Sequence, residues 1–328
     1  MKKRSVFQKL FLRWMNAKQI ILNAKKGLVF MDYKKIFKSS ASRELVLNML
    51  RFVPSKSMLK LQYRIKTGRN LNLKNPERFT EKLQWYKLYY RNAIMHRCVD
   101  KLQVRDYIKD KGLEDILVTL YGYYANIEQV DFDSLPEQFV IKTTNGGGGL
   151  NVAVVTDKKK FLESEDKTKL KAKPSLKNSG GREWAYYGLE PGIIVEELLV
   201  NTEKPEAGVN DYKFFCFNGK VECIVVDIDR YIGHKRNFYD ASWNNLDVIS
   251  DCEATDREIP MPENFELMKQ IAEKLSEDFP FVRVDLYNIN GKIYFGELTF
   301  YPWSGYVQYT PDWFDFELGE KFVLPHRN

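Results

Sequence analysis

Two Asn-Gly dipeptides, each set beside runs of β-forming residues, constrain the fold of this chain more than any other feature. Asn218-Gly219 joins the run 212–217 to the run 220–228, and Asn290-Gly291 joins 282–287 to 292–300. Asn-Gly accepts the positive φ angles of tight hairpin turns, so each pair of runs is predicted to be antiparallel. The second half of the chain should therefore be dominated by antiparallel sheets.

Helical patterns accompany these strands and indicate the α+β class. Residues 262–279 carry apolar side chains at helical spacing, which predicts one helix that covers the sheet. Residues 100–112 begin with an acidic residue and end with glycine, which predicts a short helix. Further β-rich runs occupy residues 139–142, 151–155 and 193–199.

Basic residues are concentrated at the N-terminal end. The chain has a formal net charge of +7, yet residues 1–75 hold 19 lysines and arginines against two acidic residues. Residues 5–17 place six apolar side chains on one helical stripe, which predicts an amphipathic helix. Two interpretations stay open: residues 1–30 contact an anionic membrane surface, or this helix docks on the protein itself. No nucleic-acid-binding module accompanies the charge, so nucleic acid is not expected as a partner.

Cysteine usage and hydropathy favour a cytoplasmic location. The four cysteines form no CxxC pair and no zinc-type spacing, as expected in a reducing compartment. No stretch approaches the ~18 consecutive apolar residues of a membrane-spanning helix. We therefore expect a cytoplasmic protein whose membrane contact, if it has one, is at the inner face of the cytoplasmic membrane.

A glycine run between two predicted strands is the first candidate site. Lys142 ends the first strand, and the loop that follows contains Asn145, Gly146, Gly147, Gly148 and Gly149. Glycine backbones can approach phosphate oxygens closely and direct N–H groups at them, and a lysine adds a point charge. The run is not a P-loop, because no Gly-Lys-Ser/Thr follows it. A flexible hairpin loop that binds nothing explains the run at least as well.

Two carboxylates near the second Asn-Gly turn form the second candidate site. A two-residue loop would send Asp285 and Glu297 to opposite faces of the hairpin. A three-residue loop sets Arg283 opposite Glu297 and places Arg283, Asp285, Glu297 and Thr299 on one face. The other face is then apolar enough to rest on a helix, which favours the three-residue loop.

Such an oxygen cluster suits a divalent cation. Magnesium accepts carboxylate ligands and fills its remaining positions with water and nucleotide phosphates. The alternative is an Arg283–Glu297 ion pair across the strands, with Asp285 in contact with solvent. The residues of this hairpin do not decide between the two.

The third candidate site lies between the first two. The run 193–199 contains Glu196, Glu197 and Leu198, where backbone groups at a strand end could read an adenine edge. Asp211 and Lys213 alternate onto one face of the next strand, where they suit a ribose hydroxyl and a phosphate. A charged strand edge without a ligand explains each piece separately, but explains their order less well.

In this order, the motifs resemble those of the ATP-grasp ligases over roughly residues 98–310. Asp-Tyr-Lys-Phe-Phe-Cys-Phe-Asn-Gly-Lys at 211–220 and Phe-Pro-Phe-Val-Arg-Val-Asp at 279–285 are similar to the TupA-like branch, which acts in teichuronopeptide synthesis. Strings at 75–85, 100–105 and 296–302 strengthen the resemblance. It implies an ATP-grasp fold with antiparallel sheets and a helical, basic N-terminal extension.

The resemblance also implies a division of the chain into four parts. These are a basic helical region at 1–95, a small subdomain at 96–137, a lid subdomain with the glycine-rich loop at 138–200, and a catalytic subdomain at 201–328.

The resemblance assigns roles to individual residues. Lys142 would hold the α- and β-phosphates of ATP beneath the glycine loop, and Glu196 to Leu198 would read adenine. Asp211 would bind ribose, and Asp285 and Glu297 would hold magnesium. Arg283 would contact the acceptor or the developing acyl phosphate, with three further candidates for phosphate or substrate: Lys213, Arg230 and Arg236.

Two departures from the family pattern affect these roles. Many ATP-grasp enzymes have Glu-x-Asn at the second metal position, where this chain has Thr299 in place of the asparagine. A hydroxyl group there still suits the metal or its water. Asn145 lies in a loop that differs from the His-Gly-Ser-Gly-like loop common in the branch, and it is kept as a candidate for nucleotide binding.

The activity implied by the resemblance is a carboxylate–amine ligase that uses ATP and Mg²⁺ and forms an acyl phosphate. Its acceptor would be a uronic acid or another carboxylate-bearing glycan, free or lipid-linked, in cell-surface polysaccharide synthesis such as that of a capsule. An amino acid or another amine would complete the reaction. Two alternatives stay open: an ATP-dependent kinase acting on a glycan or metabolite, and a non-catalytic protein that binds nucleotide or glycan.

Overall fold

The computed structural model describes residues 47–146, 151–170, 176–178 and 180–326. The stripe at 5–17 and the glycines 147–149 lie outside these residues, so what was predicted for them stays a prediction. The described strands are β1 Leu120–Tyr124, β2 Phe139–Thr143, β3 Val152–Val155, β4 Ile193–Glu196, β5 Asp211–Phe217, β6 Lys220–Ile228, β7 Lys235–Asp240, β8 Phe281–Ile289 and β9 Lys292–Thr299.

Helices are fewer and mostly short in the described residues. They are α1 Ser55–Thr67, α2 Phe79–Tyr89, α3 Ile94–Val99, α4 Val104–Asp110, α5 Lys158–Glu163, α6 Phe265–Ser276 and α7 Trp313–Lys321. None of these described helices has the length and apolar character that crossing a membrane requires. The predicted α+β class with antiparallel sheets is confirmed.

The larger sheet has the strand order β7-β6-β5-β8-β9, with every neighbouring pair antiparallel. Both Asn-Gly predictions are confirmed, because Phe217 pairs with Lys220 and Ile289 with Lys292. Asn and Gly have positive φ angles in both turns, as a type I′ turn requires. Strand β7 was not predicted from the sequence.

The three-residue loop predicted for the second hairpin is wrong. The turn has two residues, and a bulge between Asp285 and Leu286 in the register shifts the pairing by one residue. Asp285 therefore pairs with Glu297, and Arg283 pairs with Thr299 rather than with Glu297. The bulge brings the carboxylates to one face, as the sequence required, by a different route.

Helix α6 covers the apolar face of the larger sheet. Its side chains Met268, Ile271, Ala272 and Leu275 are buried, in one core with strand residues such as Val284. The helix is shorter than the predicted 262–279 because its first turn begins after Asn264. The charged face of the larger sheet is the one opposite this helix, and it points away from the apolar core.

The smaller sheet has the order β1-β4-β2-β3 and its own apolar core. Strand β4 ends at Glu196, three residues earlier than predicted. Glu196 is the last residue of β4 that pairs with β1, through Leu120, and with β2, through Val140. Strand β1, which falls in the predicted part 96–137, therefore belongs to the same sheet as β2 and β4. The four-part division of the chain stays a prediction.

Candidate active site

The polar face of the β8–β9 hairpin forms the centre of the candidate site. Arg283 donates from Nε to Asp285 Oδ1 at 2.7 Å and from Nη2 to Asp285 Oδ2 at 2.6 Å. The same Nη2 lies 3.0 Å from Glu297 Oε1 and 3.1 Å from Thr299 Oγ1. One guanidinium group thus joins both carboxylates predicted to bind metal.

The bulge that creates this arrangement depends on Gly296. A Cβ atom at this position would lie 3.0 Å from the carbonyl oxygen of Asp285 and 3.3 Å from the Tyr287 ring. Glycine lets the bulged backbone approach strand β8 this closely. The chain can therefore place Glu297 directly opposite Asp285.

Lys213 on strand β5 extends the cluster across the larger sheet. Its ammonium group is bound to Asp211 Oδ2 and lies 3.4 Å from Asp227 Oδ2 and 3.6 Å from Asp285 Oδ2. The four residues are at most 5% exposed. Three buried carboxylates therefore share one buried ammonium group, an arrangement that needs close charge balance.

Arginines complete the balance at the β6–β7 end of the face. Arg236 donates to both oxygens of Asp227, at 2.6 and 3.1 Å. Arg230, whose side chain is 46% exposed, lies 3.2 Å from Asp211. Arg230 is therefore the more accessible of the two sequence-predicted arginines.

On the smaller sheet, Lys142 and Glu196 form a second charged group. Their side chains meet at 2.5 Å between Nζ and Oε2. Arg105 reaches the other carboxylate oxygen at 3.1 Å. The Lys142 side chain is 20% exposed and remains partly accessible to a ligand, whereas the Glu196 side chain is only 9% exposed.

One cleft brings the two sheets together. Lys142 and Glu196 line it from the smaller sheet, Glu297 lines it from the larger one, and Gly146 lies at its rim. Asp211, Lys213, Asp285, Arg230 and Arg236 lie on the charged face but do not line the cleft itself. Lys142, Glu196 and Glu297, one residue each from the predicted phosphate, adenine and metal sets, are thus neighbours, whereas Asp211, predicted to bind ribose, does not reach the cleft.

Three residues without a predicted role also line the cleft: Lys101, Arg105 and Tyr186. Lys101 donates from Nζ to the carbonyl oxygen of Gly146 at 2.6 Å, beside the glycine run. The Asp100-Lys101 and Val104-Arg105 strings supported the family resemblance, so a signal for two of them was present. The residues next to Lys101 and Arg105 in the sequence form no motif that indicates a bound ligand.

The remaining predicted nucleotide residues have polar groups that are already engaged. The Glu197 N–H donates to the carbonyl oxygen of Thr119 at 2.9 Å, and its carboxylate accepts from the Thr119 hydroxyl at 2.7 Å. Asn145 is buried, and its carbonyl oxygen accepts from Thr143. Leu198 is half-buried beyond the end of β4.

The pKa values of the ionisable groups in the site are shifted by two opposing effects, burial and nearby charges. Burial alone would raise the pKa of Asp227, but hydrogen bonds from Arg236 and the charge of Lys213 outweigh it and lower that pKa. Desolvation likewise opposes ionisation of Glu297, yet Arg283 and Lys101 lower its pKa. Burial lowers the pKa of Lys101 to about 8. Asp227 and Glu297 are therefore ionised at neutral pH, and Lys101 titrates near it. Burial raises the pKa of Asp285 to about 7, although the charges of Arg283 and Lys213 oppose this shift.

Sequence comparison identifies the family. A family model described as TupA-like ATP-grasp matches residues 81–323, about three quarters of the chain. The chain belongs to the TupA-like ATP-grasp family. ATP-grasp enzymes are ATP-dependent ligases. No curated protein matches the chain in sequence.

Solved structures similar to this TupA-like protein include ligases of distant sequence. D-alanine–D-alanine ligase from Bacillus anthracis is 18% identical with a TM-score of 0.39, over 62% of this chain and 56% of that one. The L-amino acid ligase from Bacillus licheniformis is 14% identical with a TM-score of 0.40, over 83% of this chain and 57% of that one. The matched part of this chain thus spans less than two thirds of either ligase.

The TupA-like chain has residues that fit the magnesium used by ATP-grasp enzymes. Its described residues contain no group of three or more His, Cys, Asp or Glu arranged to hold a metal. They do supply two facing carboxylates, Asp285 and Glu297, with the Thr299 hydroxyl beside them. Because magnesium commonly takes one or two carboxylates and completes its shell with water and phosphates, this donor set fits a metal ion that binds together with a nucleotide.

Proposed function

We propose that this protein is a carboxylate–amine ligase that binds ATP and Mg²⁺ in the cleft between its two sheets. The observation that carries the proposal is that Lys142 of the smaller sheet and Glu297 of the larger one line a single cleft. Glu297 is in turn linked through Arg283 to Asp285. A lysine and two carboxylates in this relation suit a triphosphate and its metal ion.

The nucleotide contacts proposed here combine the residues that line the cleft with the roles that the family resemblance implies. Lys142 and Lys101 hold phosphate oxygens beside the glycine run 146–149. The strand end at Glu196 to Leu198 reads the adenine edge. Asp211 keeps a proposed role toward ribose, although its contacts with Lys213 and Arg230 favour a role in holding those cations.

The metal-binding and acceptor residues lie on the larger sheet. Asp285, Glu297 and Thr299 would hold magnesium, which when bound neutralises charge on the transferred phosphoryl group. Arg283 makes its bonds through Nε and Nη2, so Nη1 remains for the acceptor carboxylate or the acyl phosphate. Lys213, Arg230 and Arg236 set the charge on the acceptor side.

The proposed reaction has two steps. A carboxylate oxygen of the acceptor attacks the γ-phosphorus, and ADP leaves with the electron pair of the broken P–O bond. The amine nitrogen then attacks the acyl carbon, phosphate leaves, and the amine proton is released. The protein's part is to position the groups and stabilise charge, so no side-chain nucleophile is needed.

We further propose that the acceptor is a uronic acid or another anionic glycan of cell-surface polysaccharide, used in the cytoplasm. The support is the family, the cationic Arg283 beside the proposed metal carboxylates, and the exposed Arg230 beside Asp211. The predicted membrane contact of residues 1–30 lies outside the described residues. Flotation with anionic liposomes, with and without residues 1–30, tests it, and equal binding contradicts it.

A single screen tests the activity. Uronic-acid acceptors and amino acids are combined with the full chain, ATP and Mg²⁺, and the products are followed by ADP release and by mass spectrometry. A ligase sustains ADP release over many turnovers only with both acid and amine, and its product is lighter than the sum of the two by one water. A stable phosphorylated product identifies a kinase, and binding without ADP release identifies a non-catalytic protein.

Matched variants connect the screen to the cleft. Asp285→Ala and Glu297→Ala should abolish turnover. Lys220→Met serves as the control, because the Lys220 side chain is 72% exposed and its ion-pair partner among the described residues is Glu273. Turnover that survives both acidic substitutions would place the chemistry elsewhere.

A further inference from the structure

A strained turn follows strand β9 immediately after the metal-binding residues. Trp303 and Ser304 have φ angles of 48° and 54°, in the left-handed region that residues other than glycine rarely adopt. Two consecutive residues in this conformation persist only where the surrounding structure fixes them. The turn Pro302–Gly305 is therefore a place where the protein maintains an unfavourable backbone.

Side chains of helix α2 hold this turn through hydrogen bonds to its carbonyl oxygens. Lys87, which is fully buried, donates to the carbonyl oxygen of Ser304 at 2.8 Å, and Gln84 donates to the carbonyl oxygens of Ser304 and Gly305 at 3.1 and 2.8 Å. The Ser304 hydroxyl also lies 2.5 Å from Glu183. A Cβ at Gly305 would lie 2.4 Å from the Gln84 amide, so the turn rests directly on the helix.

The turn presents the Trp303 ring to two arginines of the site. The guanidinium carbon of Arg236 is 4.8 Å from the ring centroid, and that of Arg283 is 5.6 Å from it. These arginines lie on β7 and β8, which β6 and β5 separate in the sheet. The ring also stacks on Phe215 of β5, at 6.0 Å and 28°.

The two arginines are held by two kinds of contact. Carboxylates bind them through their N–H groups: Asp227 and Asp251 engage all three nitrogens of Arg236, and Asp285 engages Nε and Nη2 of Arg283. The indole ring adds a cation–π contact. Hydrogen bonds from the N–H groups and a contact with the ring together restrict the rotation of each guanidinium plane.

We propose that Trp303 is a positioning residue that orients Arg283 to receive the phosphate group released in the reaction, with Arg236 as a second cation that contacts the same ring. The inference rests on the proposed ligase function and extends it to a residue outside the nucleotide cleft. Helix α2, through Lys87 and Gln84, holds the turn in the conformation that this orientation requires. The strained backbone of the turn thus serves to place the Trp303 ring against the arginines of the site.

The backbone angle makes a decisive substitution available. Glycine adopts φ near 50° without strain, so Trp303→Gly removes the ring and relieves the backbone together. Trp303→Phe keeps an aromatic face. The matched control is Trp243, which also has a positive φ of 69° but stacks on Tyr239 at 4.5 Å, away from these arginines.

The experiment uses Mn²⁺ with ADP as the nucleotide probe and inorganic phosphate as the anion probe. Phosphate affinity is measured from the paramagnetic relaxation of its ³¹P signal by bound Mn²⁺, and ADP affinity by calorimetry. Trp303→Gly should weaken phosphate binding at least about tenfold, as expected when the contact that orients the phosphate-binding guanidinium group is lost. ADP affinity should change less than about twofold. Trp303→Phe should retain most phosphate affinity, and Trp243→Gly all of it.

The outcomes separate this inference from the function on which it rests. If the unaltered protein binds no Mn²⁺–ADP, the proposed function fails and this inference fails with it. If it binds Mn²⁺–ADP but Trp303→Gly binds phosphate equally well, or if no phosphate binds at all, only the role of Trp303 is overturned. Equal losses of ADP and phosphate affinity would also overturn it, because they indicate a general structural effect.

Discussion

The two sheets of the molecule hold their functional charges in opposite ways. In the smaller sheet, Lys142 pairs with Glu196 at the edge of an open cleft. In the larger sheet, the side chains of Lys213, Asp227 and Asp285 are at most 5% exposed and are bound to one another. The smaller sheet thus keeps its lysine available to a ligand, and the larger sheet encloses these three charges in a network while its Glu297, 43% exposed, stays at the cleft.

This difference has a physical consequence for substitutions. Removing one member of a buried ion pair leaves an uncompensated charge in a low-dielectric region, which costs far more than removing an accessible one. Changes in the buried network of the larger sheet should therefore affect folding and function together. Changes at the cleft should affect ligand binding alone.

The largest expected effect separates the two proposed metal carboxylates. Asp285→Asn and Glu297→Gln should each lower ligase turnover at least about 100-fold, because charge stabilisation at the transferred group is lost. Asp285 is 2% exposed and binds Arg283 and Lys213, whereas the Glu297 side chain is 43% exposed. Only Asp285→Asn should also destabilise the fold, by about 3–5 kcal/mol.

Urea unfolding followed by circular dichroism, alongside ADP release, measures both quantities. Lys220→Met again serves as the reference for an exposed substitution. Equal stability losses in the two carboxylate variants would remove the distinction between them.

The two lysines predicted to contact phosphate should also behave differently. Lys213→Met leaves Asp211, Asp227 and Asp285 without their shared ammonium group, so the free energy of unfolding should fall by about 3–5 kcal/mol. Lys142→Met should leave stability nearly unchanged but weaken ATP binding about tenfold or more, as expected for the loss of a charged hydrogen bond. Calorimetric ATP titration and urea unfolding test the pair. The contrast between the sheets fails if Lys142→Met is the more destabilising variant.

A smaller effect is expected at the bulge. In Gly296→Ala, the new methyl group would meet the Asp285 carbonyl oxygen at 3.0 Å, which should cost about 1–2 kcal/mol of stability. The bulge must then widen, and Glu297 moves away from Asp285. Nucleotide-dependent Mn²⁺ binding, measured by electron paramagnetic resonance, should weaken with it. Unchanged Mn²⁺ binding would show that the close backbone contact is not needed.

The same hairpin shows how far sequence reasoning reaches. The Asn-Gly turn and the shared face of Asp285 and Glu297 were predictable, because turn chemistry and the requirement for one apolar face both act locally. The bulge was not predictable. Gly296 is needed because strand β8 approaches it closely at Asp285, and this contact joins residues eleven positions apart in the sequence. A longer loop satisfied the same pattern and was wrong.

The candidate site follows the same division. Three of the predicted site residues are charged groups within or at the end of apolar strands: Lys142, Glu196 and Glu297. The structure brings all three to one cleft. Lys101 precedes helix α4 and reaches the cleft through Gly146, a contact between segments that no periodicity connects. Trp303 gave no local signal, because its importance depends on helix α2 beneath it and on arginines from two strands.

The smallest expected effect concerns pH and Lys101. Burial lowers the pKa of this lysine to about 8, with Glu297, Lys142, Asp100 and Glu196 as its charged neighbours. Below pH 8 the ammonium form predominates and attracts phosphate. As the pH rises through 8 the charge is lost, so ATP affinity should fall several-fold between pH 7.5 and 9.5, and at most about tenfold per pH unit.

Lys101→Arg provides the comparison for this pH dependence, because arginine stays protonated throughout the range. Its ATP affinity should be nearly flat over the same interval. Titration of the nucleotide itself is common to both proteins and cancels in the ratio of their dissociation constants, measured by calorimetry at each pH. Because Lys101 belongs to neither sheet, its titration also probes the cleft without disturbing the buried network of Lys213. Parallel profiles for the two proteins would show that Lys101 does not contact the phosphates, and the accessible half of the site would then depend on Lys142 alone.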